Sequence, residues 1–323
     1  MDQTVKLVGI ARLAAEGTLL AEKRRVEYRT LPTRKWLNRC DSNRVPFHWT
    51  INPYRGCEFG CKYCYARFTH EFLERRELDA FETEIYAKDW DASAFADELK
   101  HVKPGQVIGI GTATDPYQPA ERKFGRTRAA LSAMKELRGA CIFITTKSDL
   151  VARDADLLQP MAERNEVAVT LTVTTMNRDL ARLTEPYAPR PDLRIEAVTR
   201  LNASGVPAGV IASPVLPLLT DSEESLEAVA RAAKRAGARH FGANVLFLKP
   251  AAQRVFFPFL AHQFPEYLRK YQISYASGAF LKGTYPERIR NTVREIRQRV
   301  GLGGRGMERA ELPHPPEAQM RLF

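Results

Sequence analysis

Three cysteines stand within eight residues of this chain, in Gly56-Cys57-Glu58-Phe59-Gly60-Cys61-Lys62-Tyr63-Cys64-Tyr65, at the spacing C-x3-C-x2-C. Three thiolates on one short loop can converge on one iron–sulfur cluster. Three is one fewer than the four irons of a cubane, so one iron stays open to another ligand. Gly56 and Gly60 are expected to let the backbone wrap closely round such an object. The same residues admit a plainer chemistry. With Cys40 upstream as a fourth ligand they could staple a structural zinc. Zinc sites usually come as two C-x2-C knuckles, and one is present here.

A second stretch with chemical potential runs Gly109-Ile110-Gly111-Thr112-Ala113-Thr114-Asp115-Pro116-Tyr117-Gln118-Pro119-Ala120-Glu121-Arg122. It starts as a strand and ends as a helix begins. Gly109 and Gly111 are expected to allow close backbone approach to a ligand, whose polar groups can pair with backbone N–H and C=O. Taken alone, the stretch reads equally as a tight strand-to-helix turn.

Both stretches need a scaffold that brings loops together. From residue 48 onward, short apolar and β-branched runs alternate with helical periods. Strands are expected at 48–52, 107–110, 141–145, 167–174, 208–215 and 240–248, with an extra edge strand at 84–87. A helix is expected from Phe68 to Arg75. Leu226, Val229, Ala230 and Ala233 fall on one helical face after Asp221-Ser222, an N-cap pair. Six strand–helix units imply parallel strands and right-handed crossovers. The fold class is therefore α/β, a partial, open (β/α)6 TIM-like barrel. Its reactive residues belong at the C-terminal ends of the strands. The expected organisation is a basic N-terminal extension over 1–47, a core over 48–300 and a flexible Gly- and Pro-rich tail over 301–323.

With Tyr63 as the aromatic before the last cysteine, the cysteine loop resembles the signature of the radical S-adenosylmethionine (radical SAM) superfamily. The phrases NPYRGCEFGCKYCYAR and GTATDPYQPAE narrow the resemblance to its spore-photoproduct-lyase-like branch. Pieces around Thr145-Thr146-Lys147-Ser148, Thr170 to Thr175, Thr184-Glu185-Pro186, Arg194 and Ser213-Pro214-Val215-Leu216-Pro217 agree with it. They cover roughly residues 47–265. The resemblance implies a [4Fe-4S] cluster on Cys57, Cys61 and Cys64, with SAM chelated at the open iron. It implies an external electron donor and reductive cleavage of SAM to a 5′-deoxyadenosyl radical. It places Gly109, Gly111 and Thr112 near the SAM amino group, and Lys147 and Thr172 at its other polar parts. Tyr63 and Arg194 complete the expected SAM site. A lysine at a strand end suits a carboxylate, and a threonine hydroxyl suits a ribose. The chain departs from the branch at one point. Spore photoproduct lyases carry a quenching cysteine just after the second strand, and here that stretch reads Thr112-Ala113-Thr114. Tyr63, Tyr65 or Tyr117 is then a candidate hydrogen-atom relay.

The 323 residues are 44% hydrophobic, enough for a sizeable core, and no apolar run approaches a membrane span. No signal-peptide pattern opens the sequence. Cysteines that must stay reduced suggest the cytoplasm. Cys141, in the apolar run Ala140-Cys141-Ile142-Phe143-Ile144, is expected to be inert. The net charge of +11 suits a phosphate-bearing partner or simply a solvated basic surface; taken with the family resemblance and the C-terminal residues named below, it makes nucleic acid the expected substrate class. The alternatives are a radical SAM enzyme acting on a protein or small molecule, and a zinc- or cluster-stapled nucleic-acid binder without turnover. Gln319, Met320, Leu322 and Phe323 resemble the peptide by which bacterial repair proteins dock on the DNA sliding clamp, a possible further partner.

Overall fold

A computed structural model describes residues 7–23, 26–40, 46–75 and 77–302. The tail beyond 302, with the clamp-like residues Gln319, Met320, Leu322 and Phe323, lies outside them. The described strands are β1 (Leu19–Lys23), β2 (Val26–Leu31), β3 (Leu37–Arg39), β4 (Trp49–Ile51), β5 (Tyr54–Arg55), β6 (Glu84–Lys88), β7 (Val107–Ile110), β8 (Cys141–Thr146), β9 (Glu166–Thr172), β10 (Ala208–Val215) and β11 (Phe241–Val245).

Six of them form one parallel array in the order β11-β10-β9-β8-β7-β4, and β3 adds an antiparallel strand beside β4. Near-continuous apolar runs such as Val107–Ile110 and Val167–Leu171 suit strands covered on both faces. The edge strands β3 and β11 are not paired with each other among the described residues, so the sheet is an open, partial TIM-like barrel. Helices Arg126–Met134, Ala155–Ala162, Pro191–Ala203 and Glu223–Arg235 make the crossovers. The last starts where the sequence predicted, with the Ser222 hydroxyl accepting from the Ser225 amide at 3.2 Å. Leu226, Val229, Ala230 and Ala233 are buried against the sheet. Each large aliphatic side chain so buried contributes roughly 1.5–3 kcal/mol.

Three expectations need correction. The 84–87 strand is not at an edge. As β6 it sits inside a separate four-stranded sheet, order β1-β2-β6-β5, parallel to β2 and antiparallel to β5. Its alternation matched a strand, but its partners lie far away in sequence. The helix expected to reach Arg75 is shorter. A 3-10 turn at Tyr65–Arg67 leads into Phe68–Glu71, and Glu74 takes a left-handed φ of 57° that helical backbone does not allow. The strand expected over 240–248 stops at Val245, after which the Leu248 amide donates to the Ala279 carbonyl at 2.9 Å.

The N-terminal 47 residues supply strands to both sheets, β2 beside β6 and β3 beside β4. Among the described residues no helix is long and apolar enough to cross a membrane.

Candidate metal and cofactor site

The cysteine loop leaves β5 at the C-terminal end of the parallel array, where an open barrel gathers its loops. Cys57 is anchored at the start, its amide donating to Phe81 O at 2.8 Å. The loop is then tied to the segment after β7. The Gln118 amide donates to Gly56 O at 2.9 Å while its oxygen accepts from Glu58 N at 3.0 Å. Thr114 adds a bond to Gly56 O. Arg67, buried by its ion pair to Glu82 at 2.6 Å, donates to Cys61 O at 3.1 Å. These bonds tie the loop to the segment after β7 and to Arg67.

Gly56 and Gly60 have φ of 78° and 62°, which favour glycine. A side chain at Gly56 would meet Phe81 O and Glu84 O within 2.9 Å, and one at Gly60 would meet the Tyr187 ring at 3.0 Å. Their close approach is therefore to the protein behind the loop, not to an object in front of it. Gly109 is likewise displaced from its expected role. It lies within β7, where the Phe47 ring covers its missing side chain at 2.8 Å. Gly111 does reach the site, with φ of 90° and Pro116 and Thr145 O each 2.6 Å from where a Cβ would stand.

Cys57, Cys61 and Cys64 line one cavity of about 340 Å³. Gly111, Thr112, Lys147, Thr172 and Tyr63 line it too. Burial pushes all three thiols up, Cys61 to about 12. Neutral, buried, soft donors facing one cavity suit metal ions that displace their protons. Cys40 and Cys141 lie elsewhere. The Cys40 amide bonds to His48 O just before β4, and Cys141 opens β8. Both mark the opposite end of the strands from the cysteine loop. A fourth ligand from Cys40 is excluded by that placement.

The polar wall opposite the cysteines is organised around two carboxylates. Asp115 accepts from Thr146 Oγ1 at 2.6 Å, from Lys147 N at 2.7 Å and from Tyr117 N at 2.9 Å, so it locks the turn after β7 onto the end of β8. Burial raises its pKa against those hydrogen bonds. Glu185, following helix Arg178–Thr184, is the second. It pairs with Arg194 at 2.6 Å, both side chains 1% exposed, and lies 3.9 Å from Lys147 Nζ. It also accepts from Tyr63 OH and, at 2.7 Å, from Thr174 Oγ1. Burial opposes its ionisation, but Arg194, Lys147 and these donors outweigh it and hold the carboxyl below its usual range.

Lys147 Nζ donates to Thr172 Oγ1 at 3.0 Å, which places both residues together as the sequence suggested. Thr112 Oγ1 accepts from Asn52 at 3.0 Å, and its carbonyl accepts from Tyr65 OH. Arg194 is not in the cavity. It stands behind Glu185, its Nε donating to Pro189 O at 2.7 Å and its Nη1 to Thr172 O at 3.1 Å. Tyr117 is a core residue and does not line the cavity. Glu185 and Asp115 carry no role visible in the sequence, because each gains one through partners distant along the chain.

A family model described as Radical SAM superfamily matches residues 51–242, the span that carries both constellations. The chain belongs to the radical SAM superfamily. Membership brings a [4Fe-4S] cluster and SAM as its cofactors. Protein Rv2578c of Mycobacterium tuberculosis is 32% identical over 281 residues, 86% of this chain and 80% of that one. Protein MJ0683 of Methanocaldococcus jannaschii is 32% identical over 175 residues, 54% of this chain and 63% of that one. The radical SAM fold here is spore-photoproduct-lyase-like. It superposes on a spore photoproduct lyase mutant with bound AdoMet and dinucleoside spore photoproduct at a TM-score of 0.62, with 13% identity, over 84% of this chain and 79% of that one.

Proposed function

We propose that this radical SAM protein is an enzyme that holds its cluster on Cys57, Cys61 and Cys64, binds SAM beside it and acts on nucleic acid. The observation that carries the reading is one cavity lined together by the three thiols, Lys147 and Thr172. Held by Cys57, Cys61 and Cys64, the cluster would supply the one-electron reduction that radical SAM chemistry draws from an external donor. The chain's own residues bind and orient. Lys147 offers an ammonium to a carboxylate, with Glu185 and Thr172 fixing where it stands. Thr112 and Gly111 offer backbone groups at the turn that Asn52 and Asp115 hold. The apolar rings of Tyr63, Tyr65 and Phe59 keep water from the loop.

Nucleic acid as substrate is supported by the net charge of +11 and by the likeness in fold to a lyase whose structure holds a dinucleoside photoproduct. Thr112-Ala113-Thr114 lacks a quenching thiol, so the bond changed differs from that lyase's or another hydrogen donor serves. Tyr63 and Tyr65 both line the cavity as relay candidates, the first hydrogen-bonded to Glu185 and the second to the Thr112 carbonyl.

Two measurements test this. Lys147→Ala should weaken SAM binding about ten- to a hundredfold, the value of one charge-assisted contact, at unchanged iron content. Unaltered affinity would remove Lys147 from the site. Binding of nucleic acid should weaken steeply as salt rises, because counterions are released. A flat salt dependence would move the substrate to a protein or small molecule.

A further inference from the structure

The cavity carries a feature to which the site described above assigns no role. Phe247 and Phe280 stack with centroids 4.3 Å apart and planes 27° from parallel, and both line the cavity. Phe247 follows β11, the last parallel strand. Tyr65, from the cysteine loop, meets it at 5.9 Å and extends the aromatic row toward that loop. Asn244, at the end of β11, lines the same cavity, and its side-chain amide makes no hydrogen bond among the described residues. Beside the row, Lys249 Nζ lies 3.4 Å from the centroid of Phe68 and 5.8 Å from that of Phe247. No carboxylate pairs with it within 4.0 Å among the described residues. Glu71, the acidic group whose field it feels, is engaged by Arg254 at 2.6 Å.

These groups differ in kind, and each suits a different part of one ligand. A stacked ring pair offers a π face on which a planar heterocycle can lie. A carboxamide offers a donor and an acceptor side by side, the pattern of a base edge. An ammonium resting on rings and free of a carboxylate offers a point charge to a phosphate. An aromatic side chain of a peptide would use the rings but leave the amide and the cation unmatched. Resting on the reading that the substrate is nucleic acid, we propose that Phe247, Phe280, Asn244 and Lys249 form a subsite for one nucleotide unit of it. The base lies on the ring pair, its edge meets Asn244 and its phosphate meets Lys249. A strand must be locally unstacked for its base to enter, so single strands should be preferred over duplex.

The test uses the full, cluster-bearing chain and a short single-stranded oligothymidylate, with binding read by fluorescence anisotropy in the absence of turnover. Phe247→Leu or Phe280→Leu should weaken binding about tenfold, within the range for loss of one stacked base. Lys249→Gln should lower the slope of log affinity against log salt by about 0.7, one phosphate's share on a single strand. SAM affinity, measured separately, should be unchanged in all of them. Wild-type oligonucleotide affinity in both Phe variants would overturn the subsite and leave the nucleic-acid reading standing. So would loss of SAM affinity alone, because the ring held there would then be the adenine of SAM. If the wild-type chain binds no strand at low salt, the substrate reading fails and the subsite falls with it. Should a Phe variant not fold, Asn244→Ala and Lys249→Gln, at partly exposed positions, decide the matter by the same readouts.

Discussion

Changing any one of Cys57, Cys61 or Cys64 to Ala is expected to abolish the brown colour of the anaerobically purified protein and its cleavage of SAM together. The wild-type chain should carry about four irons, because three thiolates hold a cubane with one iron open. The loss should be near complete. The three side chains face one cavity, and no other cysteine reaches that end of the strands. Cys40→Ala and Cys141→Ala should keep full colour. Cys141 already donates its S–H to Glu166 Oε2 at 3.3 Å, and Cys40 is bonded beside His48. Iron analysis and the release of 5′-deoxyadenosine read both outcomes. A bleached Cys40→Ala protein would show that the ligand set has been misassigned.

Glu185→Leu is expected to destabilise the fold by roughly 3–5 kcal/mol, the cost of leaving a buried charge without its partner. Arg194 is 1% exposed and would lose its one ion pair among the described residues, while Tyr63 and Thr174 would lose an acceptor. Urea denaturation of the metal-free chain measures this apart from any cofactor. The pH dependence gives a second check. A carboxyl held below its usual value stabilises the protein fully above its unfolded pKa of about 4.3. That contribution falls away as pH drops from there towards the folded value. The stability gap between wild type and Glu185→Leu should therefore be widest near neutrality and narrow below about pH 5. A gap of equal size at pH 7 and pH 4 would mean that packing, not charge, gives Glu185 its value.

How legible this site was in the sequence depended on distance along the chain. The cysteine loop is a local object, so its spacing declared its chemistry. The parallel strands were equally visible, because each is a compact apolar run between turn residues. Gly111 and Gly109 looked alike in sequence, yet only the first faces the cavity. The difference is Phe47, which comes from a segment some 60 residues earlier and fills the space over Gly109. Glu185 was legible as part of a family phrase but not as a hub, because its partners Tyr63, Lys147 and Arg194 come from the cysteine loop, the end of β8 and the helix Pro191–Ala203. The second sheet was missed for the same reason. Val26–Leu31 has no periodic signal strong enough to announce a parallel partner at Glu84–Lys88.

That pairing of β2 with β6 also sets a timetable for synthesis. The cysteine loop lies between the two strands in sequence, and its first anchor, Phe81 O, comes only just before β6. A growing chain therefore displays its thiols well before the cradle that shapes them exists. The part of the cavity lined by Phe247 and Phe280 emerges later still. Metal delivered to the nascent chain would meet loose cysteines with no fixed geometry. Metal delivered after release would meet a finished pocket.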